Sequence, residues 1–70
     1  MLMKIIATKI ETRNGGMKTA YYKYMGANGK PTLGGKRDAA TFDATTAAKV
    51  LEQLKTIDGR FTAGGEVVDF

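Results

Sequence analysis

Seventy residues with a formal net charge of +4, no cysteine and no histidine leave room for one hydrophobic core and no second domain. The missing side chains remove the usual ligands of zinc, iron–sulfur and haem centres, the thiol nucleophile and the Ser-His-Asp triad. No apolar run approaches the ~20 residues of a membrane-crossing helix, and Met1-Leu2-Met3-Lys4-Ile5-Ile6 lacks the apolar segment of a secretory signal, so a cytoplasmic protein is expected.

Glycine-bearing steps at Asn14-Gly15-Gly16, Asn28-Gly29, Gly34-Gly35, Asp58-Gly59 and Gly64-Gly65 divide the chain into five segments. Residues 4–13 alternate, with Ile6, Thr8 and Ile10 on one side and Ala7, Lys9 and Glu11 on the other, and predict a strand. Residues 17–25, rich in Thr and Tyr, predict a second. A three-residue loop at 14–16 sets Ile10 opposite Ala20, Thr8 opposite Tyr22 and Ile6 opposite Tyr24 on one face. A slip by one residue would carry Lys9 into the core, so the pattern itself selects the faces.

Asn28-Gly29 predicts a two-residue type I′ turn with positive φ at both positions. That turn pairs Tyr24 with Leu33 on the inner face, and Met25 with Thr32, Lys23 with Gly34 and Tyr21 with Lys36 on the outer one. Pro31 then requires the third strand to be an edge or to begin after it, and a bulge at Gly34-Gly35 would return Arg37 to solvent. From Asp43, a good N-cap, the period becomes helical: Ala44 to Ile57 run without Gly or Pro, and Ala47, Val50, Leu51, Leu54 and Ile57 form one apolar stripe. Phe42 is placed to staple onto Ala47, and Gly59 to end the helix as its C′ residue. The tail 60–70, ending Val67-Val68-Asp69-Phe70, predicts a last strand. The expected fold is α+β, an antiparallel three- to four-stranded sheet in the order β-β-β-α-β with one helix packed on one face.

The residues suited to chemistry are few. The carboxylate pairs Asp38 with Asp43 and Glu66 with Asp69 occupy ordinary turn, cap and strand-end positions. Gly34-Gly35-Lys36 lacks the spacing of a phosphate-binding loop and reads as a turn or bulge. The expectation is therefore a protein that is not an enzyme and takes no cofactor or metal. Residues 1–42 hold eight basic groups against Glu11 and Asp38, whereas residues 43–70 hold three against five acids. This polarity suggests an anionic partner; the plain alternative is a solvated surface that keeps a small protein in solution. In Tyr21-Tyr22-Lys23-Tyr24 the register assigns Tyr22 and Tyr24 to the core and turns Tyr21 outward among Lys9, Lys23 and Lys36. That face is either a basic binding surface with a central aromatic or a solvated strand face covered by lysine stems.

Tyr21-Tyr22-Lys23-Tyr24, then Gly29-Lys30, then Gly35-Lys36-Arg37-Asp38 and an amphipathic helix, over residues 20–54, resembles the N-terminal arm-type DNA-binding domain of phage tyrosine integrases. The resemblance implies a sheet laid in the DNA major groove and casts Tyr21, Lys23, Lys30, Lys36 and Arg37 as contacts. The whole chain, with Phe42-Asp43 running into an Ala/Leu helix and a final short strand, also resembles the short proteins of phages and mobile elements that include anti-CRISPR inhibitors. That resemblance implies a protein in the host cytoplasm that blocks a nucleic-acid-handling defence complex. The leading expectation is such an inhibitor or accessory protein, bound to a host protein or nucleoprotein complex through Lys9, Tyr21, Lys23, Lys30, Lys36 and Arg37, with no membrane contact. Direct DNA binding by the sheet is the alternative, and a module that dimerises through an exposed strand edge is the third.

Overall fold

The computed structural model describes residues 3–70. Four strands, β1 (Lys4–Glu11), β2 (Met17–Met25), β3 (Pro31–Gly34) and β4 (Glu66–Asp69), form one sheet in the order β3-β2-β1-β4 with every neighbour antiparallel. One long helix, α1 (Ala44–Ile57), packs on the sheet, and a short second helix, α2 (Gly59–Gly64), follows it. The expected α+β architecture is present, with β4 beside β1 as the fourth strand. No helix among the described residues is long and apolar enough to cross a membrane.

The two hairpins share one turn geometry. In the first, Gly15 N–H donates to the Thr12 carbonyl (3.1 Å) and Thr12 N–H to the Gly16 carbonyl (2.8 Å), with Gly15 at φ 79°. In the second, Gly29 N–H donates to the Gly26 carbonyl (3.0 Å) and Gly26 N–H to the Lys30 carbonyl (2.8 Å), with Gly29 at φ 78°. Each is a three-residue loop closed by a glycine in the left-handed region, at residues 13–15 and 27–29. Asn28 does not have positive φ, so the type I′ turn expected at Asn28-Gly29 is corrected.

These loops decide the register. Moving the first loop from 14–16 to 13–15 slides the pairing by two, so Thr8 lies opposite Ala20 and Ile10 opposite Lys18. An even shift leaves every side chain on its expected face. Lengthening the second loop from two residues to three shifts its pairing by one: Met25 faces Pro31 and Tyr24 faces Thr32. An odd shift exchanges faces, and Tyr24, expected in the core, is 57% exposed. The ladder regains its inner pairing through an irregularity at Lys23, beyond which Tyr22 lies opposite Leu33 and Tyr21 opposite Gly34. The bulge thus sits at Lys23 in β2 rather than at Gly34-Gly35, and Tyr21 is not paired with Lys36. Pro31 opens β3 on the sheet edge, where its missing N–H costs no ladder bond.

Beyond Tyr21, β2 parts from β1 and another segment takes its place. Ala40 N–H donates to the Tyr22 carbonyl (3.0 Å), and Phe42 exchanges two 2.8 Å backbone hydrogen bonds with Lys4. The Phe42 ring stacks on Tyr22 with centroids 6.4 Å apart. The connection from β3 to α1 is therefore sewn into the gap between β1 and β2, and Ala40 and Phe42 extend the core that a fully paired Tyr24 would otherwise have joined.

Asp43 caps α1, its carboxylate accepting from Thr46 N–H at 2.7 Å, and this bond holds the Asp43 carboxyl below its ordinary pKa. Ala47, Leu51 and Leu54 of the expected stripe are buried and Val50 packs beside them, against Ile6, Tyr22 and Phe61. Ile57 is 48% exposed because the chain turns away one residue later. Gly59 does not terminate α1 in a left-handed conformation; it begins α2, and Asp58 caps both helices, donating its N–H to the Leu54 carbonyl and accepting from Arg60 N–H. The Asp58 carboxylate also holds the Arg60 guanidinium at 2.6–3.2 Å, which lowers the pKa of the acid and raises that of the base. The turn drives Phe61 into the core, fully buried, and places the Arg60 carbonyl to accept from the buried Thr8 hydroxyl at 2.7 Å. Only then does the chain enter β4, so the strand expected over 60–70 is confined to residues 66–69.

Candidate functional site

Side chains alternate across the sheet, and the helices cover the face of Ile6, Tyr22, Leu33 and Val67. The opposite face follows from the register. Ala7 lies between Tyr21 and Glu66, Ile5 beside Val68, Lys9 opposite Thr19, and Glu11 opposite Met17. Phe70 N–H donates to the Met3 carbonyl and extends this pairing at one end. Ile5 and Ala7 are buried on this face, and α2 reaches its edge beside Lys9.

The six residues singled out from the sequence divide into three groups. Lys9, Tyr21 and Lys23 lie on the outer face as expected. Lys9 is exposed, and its Nζ donates to Thr19 Oγ1 across the strand pair at 2.6 Å. Tyr21 is half-buried beside Ala7. The Lys23 stem lies across Gly34, where an added Cβ would approach its Cδ to 2.6 Å, and its ammonium stands 5.7 Å from the centre of the Tyr24 ring. A side chain at Gly34 would displace the flexible Lys23 stem, whose ammonium faces the aromatic ring. Tyr24 is the residue the sequence reading missed here. The available signal was that Asn14-Gly15 and Asn28-Gly29 share a local pattern, so the loop length assigned to the first applied to the second.

Lys30 is exposed at the tip of the second hairpin, its backbone N–H bound to Asn28 Oδ1 at 3.0 Å. Lys36 and Arg37 are exposed in a single 3₁₀ turn, Lys36–Asp38, on the connection that leaves β3 and passes to Tyr22. They therefore stand off the strands, at the β3 side of the molecule.

The charge pattern differs accordingly from a basic sheet face. On the outer face Lys9 and Lys23 are matched in number by Glu11 and Glu66. The cations are instead partitioned across the sheet. Residues 12–37, which hold both hairpin turns, β2, β3 and the start of the 3₁₀ turn, carry Arg13, Lys18, Lys23, Lys30, Lys36 and Arg37 and no acid. Because β3 and β2 stand together at one side and β1 and β4 at the other, this block forms a cationic flank, opposed by Glu66 and Asp69 on β4.

A cleft of about 620 Å³ opens where β1 outruns β4, lined by Lys9, Ile10, Glu11 and Met17 and, from α2, by Gly59, Arg60, Ala63 and Gly64. Its wall is chiefly apolar; its charged groups are Lys9, Glu11 and Arg60, the last engaged by Asp58. A smaller cleft of about 220 Å³ lies on the cationic flank between Ile10, Lys18, Ala20, Leu33 and Gly35.

No family model, curated protein or solved structure matches this chain, so the interpretation of these surfaces rests on its own residues.

Proposed function

We propose that this chain is a non-enzymatic binding protein, an inhibitor or accessory protein of the phage type, which engages an anionic surface of a host nucleic-acid-handling complex in the cytoplasm. The observation that carries this reading is the partition of charge: residues 12–37 hold six cations and no acid, and the strand order gathers them on one flank. Like charges collected on one side raise the local potential, speed the encounter with an anionic partner and fix its orientation. Lys23, Lys30, Lys36 and Arg37 contribute the contacts, and Tyr21 and Tyr24 supply aromatic surface beside them.

Direct DNA binding by a sheet laid face-down in the major groove fits the charge pattern less well. That mode asks the strand face for cations, and here the face carries as many acids as bases. Salt dependence separates the two readings. Four to five phosphate contacts give a log–log slope of affinity on salt near −4, and a protein partner gives a shallower one.

The test is capture of partners from a bacterial lysate with and without nuclease, comparing the native chain with Lys36→Glu/Arg37→Glu and with Lys49→Glu/Lys55→Glu on α1. A partner that survives nuclease and is lost only with the flank variant supports the proposal. Loss with the helix variant and retention with the flank variant would move the site to α1, and a partner released by nuclease would favour direct nucleic-acid binding.

A further inference from the structure

Three steps of the chain set an amide or acid side chain directly before glycine: Asn14-Gly15, Asn28-Gly29 and Asp58-Gly59. At such a step the chain can react with itself, because a residue without Cβ leaves its backbone nitrogen room to close a ring on the preceding side-chain carbonyl carbon. Asn14, Asn28 and all three glycines are exposed, and a Cβ added at Gly15, Gly29 or Gly59 would meet nothing within 4 Å. What separates the three is whether the side chain is tied. A side-chain oxygen that accepts from the N–H two residues on is held in a local turn. Asn28 Oδ1 accepts from Lys30 N–H at 3.0 Å, and Asp58 Oδ1 from Arg60 N–H at 3.0 Å. The Asp58 carboxylate is clamped again by the Arg60 guanidinium. At the first hairpin the equivalent donor is Gly16 N–H, and Thr12 Oγ1 takes it at 3.2 Å. Asn14 is left with no side-chain hydrogen bond among the described residues. The two hairpin loops are otherwise alike: Gly15 and Gly29 have φ of 79° and 78°, and their N–H groups donate to the carbonyls of Thr12 and Gly26 at 3.1 and 3.0 Å.

We infer that Asn14 is a site of spontaneous deamidation, and that Asn28 and Asp58 are shielded from the same chemistry by their turns. The Gly15 backbone nitrogen, its proton taken by hydroxide, bonds to Asn14 Cγ, and the side-chain nitrogen leaves as ammonia. The product is a five-membered succinimide. Water then adds to either ring carbonyl and opens the ring, giving aspartate where the original main-chain linkage is restored and isoaspartate where the chain now runs through the side-chain carbonyl. Both products replace a neutral amide by a carboxylate, the first acid within residues 12–37. The isoaspartyl form also lengthens the main chain inside a loop that Thr12 N–H and the Gly16 carbonyl close at 2.8 Å. This chemistry is independent of what the cationic flank binds.

The experiment is incubation of the native chain in mildly alkaline buffer, followed by proteolysis and mass spectrometry of the separate peptides that carry Asn14, Asn28 and Asp58, with isoaspartate scored by enzymatic methylation. The expected result is a mixture of aspartyl and isoaspartyl product at Asn14, formed several times faster than any product at Asn28 or Asp58. The same incubation in denaturing urea should bring the Asn14 and Asn28 rates together, because the fold supplies the tether on Asn28 and urea removes it. Thr12→Val, shown to be folded by its circular dichroism melt, frees Gly16 N–H to bind Asn14 Oδ1 and should slow the reaction at Asn14. An Asn28 that reacts as fast as Asn14 in the folded chain, or an Asn14 that yields no isoaspartate, overturns the inference. So does a difference between the two that persists in urea, which would assign it to the neighbouring residues alone, or a Thr12→Val chain that reacts at Asn14 as fast as the native one.

Discussion

The β1–β4 half and the β2–β3 hairpin are built on opposite terms. Through β1, the first half buries Ile5, Ile6, Ala7 and Thr8 in succession, is pinned to Phe42 on one side and β4 on the other, and receives Phe61 and Leu54 from the helices. The hairpin keeps Tyr24 and Met25 exposed, and contributes Ala20, Tyr22 and the half-buried Leu33 to the core. The first half therefore supplies most of the packing, and the hairpin, with a one-residue irregularity and a concentration of cations, is the part free to serve recognition. Under the proposed function, stability and binding fall on different strands of one sheet, so that one can be changed with limited damage to the other.

The sharpest way to break the first half is to empty it. Phe61→Ala should cost about 3–5 kcal/mol and Leu54→Ala about 2–5 kcal/mol, read as a lowered midpoint in urea, and in a chain this small either loss approaches complete unfolding. An unchanged midpoint for either would show that the core is not centred on these residues.

A smaller effect is expected from turn chemistry in the hairpin. Gly29→Val places a β-branched residue at φ 78° and should destabilise by about 1–3 kcal/mol. Gly35→Ala, where an added Cβ meets nothing within 4 Å and φ is −75°, should be neutral or slightly stabilising. Equal melting temperatures for the two variants would refute the left-handed loop geometry.

The corner at Asp58 contributes about 1 kcal/mol as the cap of α2. Its carboxyl titrates below the ordinary range because Arg60 binds the ionised form, so its contribution is complete above the unfolded value of about 4 and falls away as the pH drops through the folded one. The stability difference between the native chain and Asp58→Asn, measured against pH, should be constant near neutrality and shrink in acid. A difference that grows in acid contradicts the assignment.

The least effect on stability, within about 0.5 kcal/mol, is expected from reversing Lys36 and Arg37, since exposed charges contribute little. The same change should abolish partner binding. A flank variant that melts far below the native chain would mean that the two regions are not separable in this way.

Much of this was legible in the primary structure. Alternation in β1 and the helical spacing of Ala47, Leu51 and Leu54 specify a face each, because a wrong face would bury Lys9 or expose three apolar residues. Asp43 marked the start of α1 through its cap, a local interaction that needs no tertiary context. Of the candidate site, Lys9 and Tyr21 follow to the outer face from parity alone, since the error in the first loop is an even one, whereas Lys23, at the irregularity, is held there by its stem lying across Gly34.

What only the tertiary structure decided was everything that turned on an odd shift or on the filling of a gap. One extra loop residue moved Tyr24 out of the core, and the vacant lane beside Lys4 was taken by the Ala40–Phe42 segment, a pairing between residues some 38 positions apart that no local pattern encodes. In the same way Arg60 to Gly64 carry no helical stripe long enough to announce α2; a six-residue helix forms because Asp58 caps it and Phe61 fills the space beside Ile6 and Leu54. Single-residue periodicity fixes which way a side chain points on its own element, but whether that side of the element meets a partner depends on loop lengths and on distant chain, and those are settled only when the whole core closes.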